Sequence, residues 1–481
     1  MQRAGSGAAG EIVRRFGSRL ADGVTVFAGA GNNGGDGWVV AGTLARSGVA
    51  VTVVETGAAK TPYAIAERGG ALETVSLSRG ITPESVPGVV VDAILGTGFR
   101  GAPHGEAQAA ITRVNALGDA GSPVAALDLP SGLDATTGEH GECVLADVTL
   151  SFGAVKRGTL LARDRCGEIV VIDIGLGSRS GDESLPLLID RPFVEARLPV
   201  LKYDSHKGAR KHLAVVGGGK GMAGAAILAC RGALRSGIGI VRAVVCSDNT
   251  DAVSAATPAA LVLPWPKSAN EVKDSIGSWA DGVVIGPGMG KSREARKLFE
   301  LLLSNTGQPV VIDADALNLF EGDLPALRDH LRGRKAVITP HVAEFARLAG
   351  TDVKTVLAQR FDIGSALASD LGATVLLKGT PSIVFAPEGE RLVSARGTAA
   401  LGTGGSGDVL AGIIGTLLAQ TEDPVSAASC AAWIHGRAAE LCEYVRGTTL
   451  DDVLYALPRA WNGDDLPLEP PVMARLQGVA A

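Results

Sequence analysis

The stretch RGTAALGTGGSGDVLAGIIGTLLAQ, residues 396–420, sets the terms for reading this chain. A turn of small residues, GTGGSGD, runs directly into an apolar helix pattern. Glycines let consecutive backbone N–H groups face one way, and the helix N-terminus behind them adds unpaired N–H groups and partial positive charge. The product is an anion hole suited to phosphate. Asp408 stands at its mouth. A plain helix N-terminal acid is one reading of Asp408; a general acid/base beside a phosphate is the other.

Working outward, apolar runs recur, each ending in glycine or a polar residue. They lie at 24–29, 50–55, 89–95, 123–130, 148–153 and 168–175, and again at 212–218, 239–245, 281–290, 309–317, 335–341, 374–379, 382–387 and 391–396. Helical patterns separate most of them. Strands that are apolar throughout and alternate with helices predict parallel sheets covered on both faces. The rhythm lapses over 176–200, where GSRSGDES and several prolines read as a connector. Two α/β domains follow, expected at 1–190 and 191–481, with an exposed Pro-rich tail after Trp461.

With 481 residues, two or three domains are the prior. A net charge of −6 argues against a nucleic-acid or anionic-membrane partner. No apolar run is long enough to span a bilayer, and no secretory signal is visible. The six cysteines have no metal-ligand spacing and read as reduced thiols in a cytoplasmic protein.

In the first domain AGNNGGDG follows strand 24–29 and is expected as a glycine turn ahead of a helix at 38–48. Amides and a carboxylate among glycines suit a diphosphate, a ribose or a monovalent cation. Asn33, Asp92, Asp128 and Ser131 all fall at strand ends, where oxygen ligands could converge on a hard cation such as K⁺. Turn capping remains open for both acids, and a solvated lysine for Lys156. In the second domain His341 precedes a helix containing Glu344. Lys378 ends a strand, where an ammonium could meet a phosphate; a solvated strand-end lysine is the other reading. Asp313, Asp315 and Asn318 crowd another strand end, and capping covers at least one of them.

Together these motifs resemble the bifunctional NAD(P)H-hydrate repair enzymes. AGAGNNGGDGWVVA, VDAILGTGFRG and LDLPSGLD are similar to the epimerase half. HKG, VVGGGKGMAGAA, VIGPGMG, VIDADALN, TPHVAEF, LLKGTPS and GTGGSGDVLAG are similar to the ADP-dependent dehydratase half. The resemblance covers nearly the whole chain. It implies an N-terminal Rossmann-like three-layer domain followed by a ribokinase-like α/β domain.

It also implies roles. Asn32, Asn33, Gly34, Gly35 and Asp36 would hold the hydrated cofactor, with the loop Gly96, Thr97, Gly98, Phe99, Arg100, Gly101 and Ala102. Asn33, Asp92 and Ser131 would ligate K⁺, and Asp128 would contact substrate as an acid/base. Ala225, Gly288, Gly290 and His341 would face the dehydratase substrate. Lys378, Gly379, Thr380, Pro381, Ser382 and Gly407 would bind ADP with Mg²⁺, and Asp408 would be the catalytic acid/base. Small molecules, NADHX or NADPHX and ADP, are the expected partners, with self-association into a homo-oligomer. A ribokinase-like kinase for a vitamin precursor, or a first domain that binds nucleotide without turnover, is the alternative. Three departures from the family stand out: the start at MQRAG, Ala343 in TPHVAE where glycine is usual, and Lys211 where glycine often stands.

Overall fold

The computed structural model describes residues 1–78, 86–176, 185–461 and 468–478. It forms two compact units, Met1–Arg179 with Asp465–Ala481, and Ser180–Asp464. In the first, seven strands run in chain order: β1 Val24–Ala28, β2 Val51–Glu55, β3 Ser76–Ser78, β4 Val89–Ala93, β5 Val124–Leu127, β6 Val148–Phe152 and β7 Glu168–Ile172. The second contributes β8 Leu187–Leu188, β9 His212–Val216, β10 Ile240–Val245, β11 Ala260–Pro264, β12 Gly282–Ile285, β13 Val310–Ile312, β14 Ala336–Ile338, β15 Thr374–Leu377, β16 Ser382–Phe385 and β17 Arg391–Ser394. The chain then returns as β18 Val472–Leu476.

The first sheet has the order β18-β7-β6-β5-β4-β1-β2-β3 and is parallel except for β18. Its strands alternate between two cores. Val89, Val91 and Ala93 of β4 pack with helices Gln2–Phe16 and Asn32–Arg46 on one face. Val90 packs with Ile111, Val114 and Leu117 of helix Gly105–Asp119 on the other. Period-two burial on both faces makes three layers. The chain builds β1, β2 and β3 to one side, then crosses to β4 on the other, so a crevice opens above β1 and β4. Ligands collect at such a switch point.

The second sheet has the order β11-β10-β9-β12-β13-β14-β15-β16-β17-β8. It is parallel from β11 to β15 and antiparallel at β16 and β17. Its own switch point lies between β9 and β12. Helix Ser406–Thr421 packs against the sheet and against helix Ala223–Arg235. Small residues permit this crossing. A Cβ on Gly412 would stand 2.0 Å from the Ala229 carbonyl oxygen and 2.9 Å from Ala233 N, and neither backbone can yield cheaply. Gly412→Ala is therefore expected to cost about 2–3 kcal/mol, read as a lower urea midpoint at unchanged m-value.

Three expectations need correction. The second domain does not run to 481. Residues 472–476 are no exposed tail; they pair antiparallel with β7, Ala474 opposite Val171 and Leu476 opposite Ile169. The boundary at 190 also shifts: Leu187 and Leu188 pair with β17 of the second sheet. The described part of the expected connector holds β8 and helix Arg191–Arg197, which the Asp190 carboxylate caps by accepting from Phe193 N at 2.8 Å. Pro192 in its first turn loses no helical hydrogen bond there. The GSRSGDES segment lies outside the described residues. Lastly, NNGGDG is not a turn; the helix begins at Asn32. All six cysteines are free, as the sequence indicates. Among the described residues no helix is long and apolar enough to cross a membrane.

Candidate functional sites in the two units

In the first unit, helix Asn32–Arg46 starts against the tips of β1 and β4. Gly34 allows it: a Cβ there would fall 1.8 Å from the Gly29 carbonyl oxygen. This seats Asn33 and Asp36 in the crevice. The Asn33 amide donates to the Leu95 carbonyl at 2.9 Å. Its Oδ1 is buried and accepts nothing. Asp92 follows in β4, fully buried, accepting from Ser131 Oγ at 2.5 Å, Ser131 N at 2.8 Å and Ile94 N at 3.1 Å. Burial pushes its carboxyl up to about 6, against those hydrogen bonds. Ser131 Oγ also accepts from Leu95 N at 2.8 Å. Asn33, Asp92, Ser131 and the Leu95 carbonyl thus form one oxygen-rich knot. The loop from Gly96 to Ala102 adjoins it, with a Cβ at Gly96 reaching 3.1 Å from Asn33 Cβ.

Asp128 follows β5 with φ +69, a strained conformation for a non-glycine residue. Its carboxylate accepts from Phe152 N at 3.1 Å and is ion-paired with the Lys156 ammonium. The solvated-lysine reading of Lys156 is therefore wrong. Asp36, read only as a substrate contact, carries a stronger electrostatic signal. Burial, with Asp128 adding, pushes it up to about 7, and its Oδ1 is buried without a hydrogen bond.

In the second unit the glycine loops after β9 and β12 are stitched together. Gly218 N donates to the Pro287 carbonyl at 2.8 Å and Gly219 N to the Gly288 carbonyl at 2.6 Å. Ala225 meets Gly288: a Cβ at Gly288 would lie 2.8 Å from Ala225 Cβ. Gly290 N donates to Asp315 Oδ2 at 2.8 Å, so Asp315 is the capping acid. Asn318 accepts from Arg347 at 2.8 Å. Asp313 does something else. It is 1% exposed, and its Oδ1 accepts from Thr339 Oγ1 at 2.6 Å and from Lys378 Nζ at 2.7 Å.

Lys378 is thus not a free cation awaiting phosphate. It stands 2.7 Å from Asp313 and 3.9 Å from Glu344. Burial alone would lower its pKa, but Asp313, Glu344 and Asp408 more than offset this and raise it. His341 caps helix Val342–Ala349, its Nδ1 accepting from Ala343 N at 3.1 Å and Glu344 N at 3.3 Å. Neutral His341 therefore carries its proton on Nε2, and burial lowers its pKa. The extra methyl of Ala343 leaves this cap formed. Lys211, the other departure from glycine, sits at φ +73, where glycine fits without strain.

Asp408 occupies the first turn of helix Ser406–Thr421. Ser406 N donates to the Thr403 carbonyl and Val409 N to the Gly405 carbonyl. The Gly407 and Asp408 amides, also in the first turn, make no such bond to a carbonyl of the preceding turn. Gly407 lies beside the ion pair: a Cβ there would be 3.1 Å from Lys378 Nζ and 3.7 Å from Asp313 Oδ2. Burial first, then Asp313, Asp315 and Glu344, push Asp408 up to about 7, with Lys378 opposing. A carboxylate poised at neutral pH suits proton transfer in both directions. Gly379, Thr380, Pro381 and Ser382 continue from Lys378 as a turn into β16, with Ser382 Oγ donating to the Gly379 carbonyl at 3.0 Å.

Known proteins match both halves. Residues 213–459 match a family model described as NAD(P)H-hydrate dehydratase, and residues 1–158 one described as YjeF-related protein N-terminus. The chain is 35% identical over 453 residues to the bifunctional NAD(P)H-hydrate repair enzyme Nnr of Escherichia coli, spanning 91% of this chain and 84% of that one. It is 36% identical over 453 residues to the enzyme of the same name from Coxiella burnetii, spanning 92% and 89%. Among solved structures it resembles the ADP/ATP-dependent NAD(P)H-hydrate dehydratase of Bacillus subtilis, co-crystallised with ATP and Mg²⁺. The TM-score is 0.50 at 27% identity, over 58% of this chain and 98% of that chain. A ribokinase-like superfamily protein of Enterococcus faecalis gives 0.51 at 25% identity, over 57% and 95%.

Proposed function

The chain belongs to the bifunctional NAD(P)H-hydrate repair enzymes, and from that premise we propose that it restores hydrated NADH and NADPH in two steps, one in each unit. The first unit interconverts the R and S hydrates. The second uses ADP to dehydrate the S form, releasing NAD(P)H, AMP and phosphate.

One observation carries the second step: Asp408, poised near neutrality, shares the mouth of an anion hole with the Gly407 and Asp408 amides. Hydroxide leaves poorly at neutral pH; phosphate leaves well. Asp408 takes the hydroxyl proton of the hydrate as that oxygen attacks the β-phosphorus of ADP. The new O–P bond forms as the bond to the bridging oxygen breaks, and AMP departs. The turn amides stabilise charge on the transferring phosphoryl group. Phosphate then leaves the ring carbon, and loss of a neighbouring ring proton restores the double bond. Lys378 keeps Asp313 neutralised, so the acid cluster does not repel the phosphates. Among the described residues no three metal-binding side chains cluster. Mg²⁺ needs no such cluster, since one or two carboxylates beside the nucleotide suffice, and when bound it would offset phosphate charge.

In the first unit the buried, unpartnered Asn33 Oδ1 beside Asp92 and Ser131 fits K⁺. Bound there, K⁺ would supply fixed positive charge next to the substrate loop. Asp128, held by Lys156, and the poised Asp36 are the groups available to move protons at the hydrated carbon. Exchange of purified R hydrate into S, followed by chromatography, tests this reading. Asn33→Ala is expected to slow it about 10- to 100-fold at fixed K⁺ while leaving ADP-dependent dehydration of S hydrate intact. Uncatalysed exchange in the wild-type protein would remove the epimerase from the proposal.

A further inference from the structure

Arg360 lies in no motif that the site has absorbed. It is 5% exposed, just past helix Val353–Ala358. Its guanidinium lies directly behind the turn that follows Lys378. Nη1 donates to the Thr380 carbonyl at 3.1 Å. A Cβ on Gly379 would lie 1.9 Å from Nη2, so the guanidinium fills the place that any side chain at 379 would need. Nε and Nη2 are both buried and unpartnered. No carboxylate offsets the charge among the described residues, and burial alone lowers its pKa. Most buried arginines are paired, because a buried cation without a counter-charge is strongly disfavoured. A cation kept in this state against a solvent-facing turn implies an anion on the turn's open side.

We propose that Arg360 is the fixed positive charge that makes the turn formed by Gly379, Thr380, Pro381 and Ser382 select nucleotide phosphate. It acts from behind the backbone, by holding the Thr380 carbonyl back and by attracting the phosphoryl oxygens through the turn. This rests on the reading of the second unit as an ADP-dependent dehydratase. Arg360 is thus a positioning and specificity residue; it need not touch the reacting atoms.

The test compares ADP, AMP and adenosine as ligands of the full-length chain by calorimetry. Arg360→Gln keeps a donor for Thr380 and removes the charge. It is expected to weaken ADP and AMP about 10- to 100-fold, the scale of one charge acting over a few ångström near a protein surface. Adenosine, which carries no phosphate, is expected to stay within about twofold. Arg360→Lys keeps the charge and is expected to recover most of the ADP affinity. Arg360→Met is the same test should the glutamine variant fail to fold. Equal weakening of all three ligands would make Arg360 a mere prop, and no weakening would make it irrelevant; either result overturns the proposal. If the wild-type chain itself binds ADP no better than adenosine, the reading of the site fails instead.

Discussion

Asp408→Asn is expected to lower ADP-dependent dehydration by about 10³- to 10⁴-fold while ADP still binds, the scale of losing a positioned general base. Asparagine is nearly isosteric and leaves the Gly407 and Asp408 amides in place, so the anion hole survives. The pH dependence carries the same signature. Burial and the surrounding acids push Asp408 up to about 7. It must be ionised to accept the hydroxyl proton, so wild-type kcat/KM should fall about tenfold per pH unit below that value and level off above it. The variant should also be more stable. A carboxyl whose folded pKa is raised gives stability that is full below the ordinary carboxylate range and is lost as pH rises through about 7. Asparagine cannot ionise, so its gain in Tm over wild type should grow from about pH 4 to pH 7 and then stay constant. Near-normal turnover would remove Asp408 from the chemistry. A stability gain without loss of turnover would assign it a purely electrostatic burden.

Lys378→Met is the second large effect, and here stability and turnover fall together. Methionine fills the volume but leaves Asp313, 1% exposed, without its ammonium partner at 2.7 Å. Breaking one side of a buried pair costs about 3–5 kcal/mol. Glu344, whose pKa burial already raises, and Asp408 lose the same cation. Glu344 and Asp408 then titrate upward. The loss of stability should be full at neutral pH and shrink as pH falls and these acids are protonated. The kcat/KM profile should shift to higher pH, because Asp408 loses the one cation that opposes its upward shift. Urea midpoints at pH 5 and 7.5, with the rate profile, check both. A variant as stable as wild type at pH 7.5 would contradict the buried-pair reading.

The two sheets were legible because β-branched apolar runs end abruptly in glycine or acid, a signal carried locally by each strand. The site motifs were legible for the same reason, since loops at strand ends hold their chemistry in short words. Other features depend on distant partners. Residues 472–476 form a strand only because β7 offers an open edge, and no local pattern announces it. NNGGDG reads as a turn by propensity, since each glycine costs a helix about 1 kcal/mol. Contact of Gly34 with the Gly29 carbonyl overrides that preference. The Asp313–Lys378 pair spans 65 positions, so spacing could not reveal that Lys378 is already neutralised. Arg360 sits outside every recognisable word, and only its burial beside Gly379 marks it.

Underlying all of this is the claim that Asp408 turns the hydrate's hydroxyl into a phosphoester before it leaves. S hydrate of NADH carrying heavy oxygen in that hydroxyl, turned over with ADP by the wild-type chain, tests it by mass spectrometry of the products. The label is expected in inorganic phosphate, one heavy oxygen per NADH formed. Label appearing in water, with unlabelled phosphate, would mean that the hydroxyl left directly and that ADP cleavage was a separate event.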